Sequence, residues 1–216
     1  MSRKKIIRIT TISFSLDTLL KGQLSFLNNY YEVVGIASGK KELQKVSKRE
    51  DIRVINIPMS REISLWQDLR SLILLVALFI KERPYIVHAN TPKASLLAMV
   101  AAWVTRVPYR IYTVTGLRFE TAIGNFRKLL IAMEKITCWC ATKVIPEGEG
   151  VKKALIREKI TNRPLRVILN GNINGIDTQH YDRTTLVNLL ASEIREKDKF
   201  TFCFVGRLVR DKGINE

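Results

Sequence analysis

Apolar positions along the chain follow two alternating rhythms. Short runs rich in β-branched and aromatic residues read as strands: "KIIRITTI" (5–12), "YEVVGIA" (31–37), "IRVINIP" (52–58), "YIVHAN" (85–90), "YRIYTVTG" (109–116), "TKVIPEG" (142–148) and "LRVILNG" (165–171). Between them, apolar residues spaced i, i+3 and i+4 predict helices over 16–28, 40–49, 65–83, 93–105, 124–140 and 149–158. Such strand–helix repetition builds a parallel sheet covered on both faces. Ligands then bind beyond the carboxyl ends of the strands. After "NGNINGID" the texture changes: "RTTLVNLLASEIREKDK" (183–199) is helical but punctuated by polar residues, and a fresh strand opens at Phe200. The expected organisation is an α/β, Rossmann-like domain over 1–180, a linking helix over 181–199, and over 200–216 the start of a second Rossmann-like domain that ends after its first strand. A single strand cannot bury its own faces, so the chain is expected to be a fragment or to borrow a surface from elsewhere.

Composition sharpens this picture. The chain has 216 residues, 46% hydrophobic and 26% charged, which suits a globular fold with one good core. Its formal net charge of +16 draws anions, whether nucleic acid, phosphorylated substrates or acidic lipid. The longest uncharged runs, "SLILLVALFI" (71–80) and "ASLLAMVAAWVT" (94–105), fall short of the roughly 20 residues needed to cross a bilayer. The basic start "MSRKKIIRITTISF" lacks the apolar stretch and small-residue cleavage site of a secretory signal. Cys138, Cys140 and Cys203 have neither metal-ligand nor redox spacing, and their odd number argues for reduced thiols in a cytosolic protein. No metal site is expected.

The closing stretch "FTFCFVGRLVRDKGINE" (200–216) carries the first candidate chemistry. A strand runs into Gly206, Arg207 follows at once, and Lys212-Gly213 reads as a helix start. A glycine ending a strand lets backbone approach a ligand, a basic side chain adds charge, and a helix N-terminus offers free N–H groups to an anion. The motif "VGRLVRDKG" resembles the second-domain phosphate loop of retaining glycosyltransferases of family 4, which have the GT-B fold. Two further segments agree. "RPYIVHANTPKASLLAMVAAWVTRVPYRIYTVTGLRFE" (83–120) is similar to the P-D-I-V-H-x-H-x-P-K-x-x-x-L and T-V-x-G-x-x-F segments of capsule and cell-surface polysaccharide transferases, and "VIPEGEGVKKALI" and "ILNGNINGID" resemble their S-E-x-x-K and N-G-x-D segments.

The resemblance implies a two-domain GT-B enzyme in which the first domain handles the acceptor and the second grips a nucleotide sugar, expected to be UDP-linked, without a cofactor or metal. Carried over, Gly206, Arg207 and Lys212 bind the donor diphosphate, where two fixed cations stabilise the leaving group. Gly22, in "LLKGQLSFLNN", matches the glycine loop facing that diphosphate, beside Lys21. Read bottom-up, Gly22 is equally a glycine at a helix start. His88, Thr115 and Glu149 are the candidate catalytic residues, and Asn90, Lys93, Gly116 and Arg118 the acceptor side. The chain departs from the family where His88-Ala89-Asn90 replaces H-x-H, where Thr115 stands for a histidine, and where Gly148 stands for a capping serine. His88 inside a β run also fits a satisfied core residue. The family's paired-glutamate motif, which holds the donor's sugar and ribose, is not among these residues, so the 216-residue chain by itself is expected to transfer nothing.

The implied partners are a nucleotide sugar, a lipid-diphosphate-linked saccharide acceptor, an anionic membrane surface and a donor-binding domain in the same or another chain. The basic first domain suits the location that the resemblance implies, with the protein expected to be cytoplasmic and peripheral on the inner face of the plasma membrane. Nucleic acid is set aside, because no reader motif is present and the aromatics are scattered within strands. Two alternatives stay open: a non-catalytic acceptor-binding subunit or inactive remnant, and a nucleotide-sugar epimerase of the GT-B fold.

Overall fold

A computed structural model describes residues 3–194, 199–200 and 202–206. The chain divides into two compact units, Met1–Asn174 and Gly175–Glu216. In the first, six strands, β1 (Lys5–Ile12), β2 (Glu32–Ser38), β3 (Arg53–Asn56), β4 (Ile86–Ala89), β5 (Tyr109–Val114) and β6 (Lys143–Pro146), pair in parallel in the order β3-β2-β1-β4-β5-β6. The intervening helices are α1 (Ser13–Leu19), α2 (Gln23–Asn28), α3 (Lys40–Glu50), α4 (Leu65–Glu82), α5 (Pro92–Val104), α6 (Gly124–Cys140) and α7 (Glu149–Arg157), with a 3-10 turn at Arg118–Glu120. The expected α/β sheet with helices on both faces is what the chain adopts.

Alternation along β1 divides the core. Ile7 and Ile9 pack with the buried residues of α4, α5 and α6, whereas Ile6 packs with Leu16, Leu20, Leu24 and Leu43 from α1 to α3. Because β1 is covered on both faces, its sequence is nearly continuous in apolar and β-branched residues. Arg8 interrupts the run and is nevertheless 2% exposed. Strand order reverses between β1 and β4, and hydrogen bonds stitch their carboxyl ends together. The Thr11 N–H donates to Thr91 Oγ1 at 2.8 Å, and the Ala94 N–H, in the first turn of α5, reaches Thr11 Oγ1 at 3.3 Å.

Three expectations change. Residues 165–171 are not a strand: Leu169, Gly171 and Asn172 all have positive φ, which breaks the pleat, and the segment turns across the end of β6, where the Asn172 N–H donates to the Glu147 carbonyl at 2.7 Å. A Cβ at Gly171 would lie 2.4 Å from that carbonyl, so only glycine fits there. The helix expected over 16–28 is two helices, because Gly22 at φ 75 breaks the run. No strand forms among the described residues from Lys199 to Gly206, consistent with an unpartnered strand having nothing to pair with. In the second unit, α8 (Thr185–Ile194) is preceded by Thr184, whose Oγ1 accepts the Val187 N–H at 3.3 Å.

At the amino ends of the strands, Glu82 receives Arg53 at 3.0 Å and Lys5 at 2.6 Å, tying the end of α4 to β3 and β1. These two partners, Arg53 first, pull its carboxyl down to about 2. A depressed carboxyl stabilises the fold above its unfolded value near 4.3 and loses that contribution as pH falls toward 2. Glu82→Gln should therefore lower Tm at pH 7 by on the order of 5 °C, from about 1–3 kcal/mol of lost charged hydrogen bonding. The gap to the parent should close between about pH 5 and pH 2 in thermal melts.

Candidate functional site

The carboxyl ends of the strands carry two separate recesses, one on each face of the sheet. On the α1–α3 face, the parallel register sets Arg8 beside His88. The Arg8 guanidinium donates to His88 Nδ1 and, at 3.1 Å, to Asn90 Oδ1. A guanidinium has only donors, so Nδ1 must accept and His88 carries its proton on Nε2, which donates to Thr113 Oγ1 at 2.8 Å. Burial, and then the Arg8 charge, hold the His88 pKa well below its usual value, so the ring is neutral at pH 7. Both of its nitrogens are engaged. Thr115 Oγ1 donates to the Asn90 carbonyl at 2.9 Å, joining the loop after β5 to the end of β4.

Arg8, His88, Asn90 and Thr113 line a cavity of about 250 Å³ together with Glu147, Ile168 and Asn172. Burial alone raises the Glu147 pKa. Glu149, the residue carried over from the family motif, is instead exposed and pairs with Lys152 at 3.4 Å. Arg8 was missed in the sequence reading. Its signal was a charge in the middle of a strand buried on both faces.

On the opposite face, the loop before α4, the start of α5, the loop after β5 and α6 enclose a narrow cleft of about 40 Å³. Lys93, Gly116 and Arg118 line it together with Arg61 and Glu134. Lys93 is committed to the loop before α4, with Asp68 at 2.7 Å and the Glu62 carbonyl as partners. Arg61 and Arg118 are exposed at the rim and form no ion pair among the described residues. Glu134 accepts from the Tyr112 hydroxyl at 2.7 Å, and burial, only partly offset by that bond, pushes its carboxyl up to about 7. It too was missed; a glutamate in register with Leu130 and Thr137 on the buried side of α6 was the available signal. The acceptor-side residues are thus divided, with Asn90 in the cavity and Lys93, Gly116 and Arg118 in the cleft.

Gly22 opens α2, but its N–H already donates to both Glu50 oxygens, at 3.0 and 3.1 Å, and the Ser25 N–H adds a third bond at 3.1 Å. Burial opposes the charge on Glu50, yet these amides and Arg49 outweigh it and keep the carboxyl below its usual range. An internal carboxylate therefore occupies the amides that would face a diphosphate. Gly206 is exposed in the second unit, and Arg207 and Lys212 lie outside the described residues.

Comparison with known proteins places these features in a lineage. The glycosyl transferase 4-like domain matches residues 29–171. The capsular polysaccharide biosynthesis glycosyltransferase CapM of Staphylococcus aureus is 39% identical over the whole chain, which covers 56% of that protein. The UDP-Gal:alpha-D-GlcNAc-diphosphoundecaprenol alpha-1,3-galactosyltransferase of Escherichia coli is 30% identical over 74% of the chain and 41% of its own length. The chain thus spans about half the length of the curated relatives it matches. Among solved structures, Anabaena HepE in complex with UDP and glucose superposes with a TM-score of 0.65 at 14% identity, over 88% of this chain and 50% of that one. Such an identity speaks for the fold alone, whereas the family match and the whole-chain likeness to CapM carry the assignment: the chain belongs to the glycosyl transferase 4-like family, among the capsule-type members of glycosyltransferase family 4.

Proposed function

We propose that this chain forms the acceptor-side part of a retaining glycosyltransferase that moves a sugar from a UDP-linked donor to a lipid-diphosphate-linked saccharide in surface polysaccharide synthesis. The likeness to a capsular transferase over the full chain carries this reading. In it, Arg207 and Lys212, after Gly206, neutralise the diphosphate as the sugar–phosphate bond breaks, and Gly22, whose amide Glu50 already holds, shapes the facing loop without donating to the anion. Thr115 and Glu149 serve the reacting groups at the carboxyl edge. His88, whose nitrogens are both bonded within the fold, serves by fixing Arg8, which in turn holds Asn90 and, through its carbonyl, Thr115. The epimerase alternative rests on the shared fold alone.

Acceptor binding falls to the cleft of Lys93, Gly116 and Arg118. Its free rim cations, Arg61 and Arg118, suit a diphosphate. Close by in sequence, the outer side of α4 bears Trp66, Leu69, Ile73 and Ile80, all exposed, with Arg70 and Lys81 among them. A helix apolar on its inner and its outer side needs a second cover. No helix among the described residues is long and apolar enough to cross a membrane. In this reading the cover is the surface of an anionic leaflet, met by a basic, amphipathic face.

Transfer of labelled sugar from a nucleotide sugar to a lipid-diphosphate saccharide by the full-length gene product tests the activity. Arg207→Ala should lower it by about 100-fold while leaving Tm unchanged; an equal loss of folding would refute the role. Co-sedimentation tests the surface. The chain should bind vesicles containing phosphatidylglycerol and not purely zwitterionic ones, release with rising salt, and bind at least tenfold more weakly as Trp66→Glu/Leu69→Glu. Unchanged binding by that variant would remove α4 from the membrane face.

A further inference from the structure

The cavity on the α1–α3 face contains a charge that the fold does not compensate. Arg8 is 2% exposed and Asn90 1%. No carboxylate lies within ion-pair distance of Arg8 among the described residues, although Glu147 lines the same cavity. Two buried donors in this cluster, Arg8 Nε and Asn90 Nδ2, have no acceptor among the described residues. Buried polar groups in native proteins are almost always paired, and an unpaired cation is the costliest exception. What is lacking at this point is an acceptor with negative charge.

The cavity limits what that acceptor can belong to. Its volume of about 250 Å³ lies below the roughly 300–1,000 Å³ of pockets that take drug-sized ligands, so a nucleotide is too large and a single sugar ring is of the right order. Gln23, Thr113, Glu147 and Asn172 also line it, a mixed set of donors and acceptors suited to hydroxyl groups. A metal cation is disfavoured by Arg8, and a neutral sugar would leave its charge uncompensated. We propose that this cavity binds a monosaccharide-sized ligand bearing one oxyanion group, a carboxylate or a phosphate, with Arg8 and Asn90 as its anion-binding residues and Glu147 among its hydroxyl partners. The site is distinct from the cleft of Lys93 and Arg118, which lies on the other face of the sheet. It concerns binding alone, so its failure and that of the transfer reading are separate results.

The test uses the 216-residue chain with D-glucuronate, α-D-glucose 1-phosphate and D-glucose as probes, read by thermal shift and titration calorimetry. One or both anions should raise Tm with saturable binding, and glucose should not. A response to both identifies the shared oxyanion, and a response to one identifies whether the group is a carboxylate or a phosphate. No response, or one that glucose matches, overturns the proposal and leaves water as the occupant. Asn90→Asp is the deciding variant, because it sets a carboxylate beside Arg8 in nearly unchanged shape. It should raise the Tm of the unliganded chain and weaken anion binding at least tenfold; retained affinity would place the anion elsewhere and overturn the site. Arg8→Met should likewise lose the response if it folds, and Asn90→Asp decides the matter if it does not.

Discussion

The parallel pairing of β1 with β4 is the contact on which the rest of the first unit depends. These strands are distant in sequence, and their crossovers leave in opposite directions, which opens the crevice where the strand order reverses. The register is equally consequential. Arg8 lies opposite His88, and a slip of one residue would set it against an apolar neighbour and turn every side chain of the strand to the wrong face. The Thr11–Thr91 stitch fixes that register at the very end where ligands gather.

Much of this was legible in the chain. Of the seven strand candidates before residue 175, six form, because a doubly covered parallel strand writes itself as a continuous β-branched run, as in "KIIRITTI". "LRVILNG" has the same local character but fails, since a strand also needs a neighbour. The left-handed residues at 169, 171 and 172 commit this segment to crossing β6 instead. The candidate site was less legible for a related reason. His88, Asn90 and Lys93 could be singled out along the sequence, but their bonding depends on residues 80, 82 and 25 positions away. Gly22 was recognisable as a loop glycine, yet nothing local showed that Glu50, 28 residues on, would fill its amide.

The two faces of the sheet have been put to different uses. On the α1–α3 side, the polar groups are linked mostly to one another, in a network that passes from β1 through β4 to β5. On the α4–α6 side, Arg61 and Arg118 stand at a rim, above a floor that includes Leu130, Phe119 and the buried Glu134. In this chain the division arises from particular residues, notably an arginine in the first strand and a glutamate turned inward on α6.

The locked ring of His88 gives its network a direction. Arg8 gives a proton to the ring, the ring gives one to Thr113, and the threonine hydroxyl is left with a hydrogen to offer and an occupied lone pair. Moving the ring proton to Nδ1 would place an N–H against a guanidinium, so the sequence cannot run backwards. From the first strand to the fifth, the row is therefore polarised, a short wire of dipoles all pointing the same way, whose electropositive tip is an ordinary hydroxyl on the fifth strand.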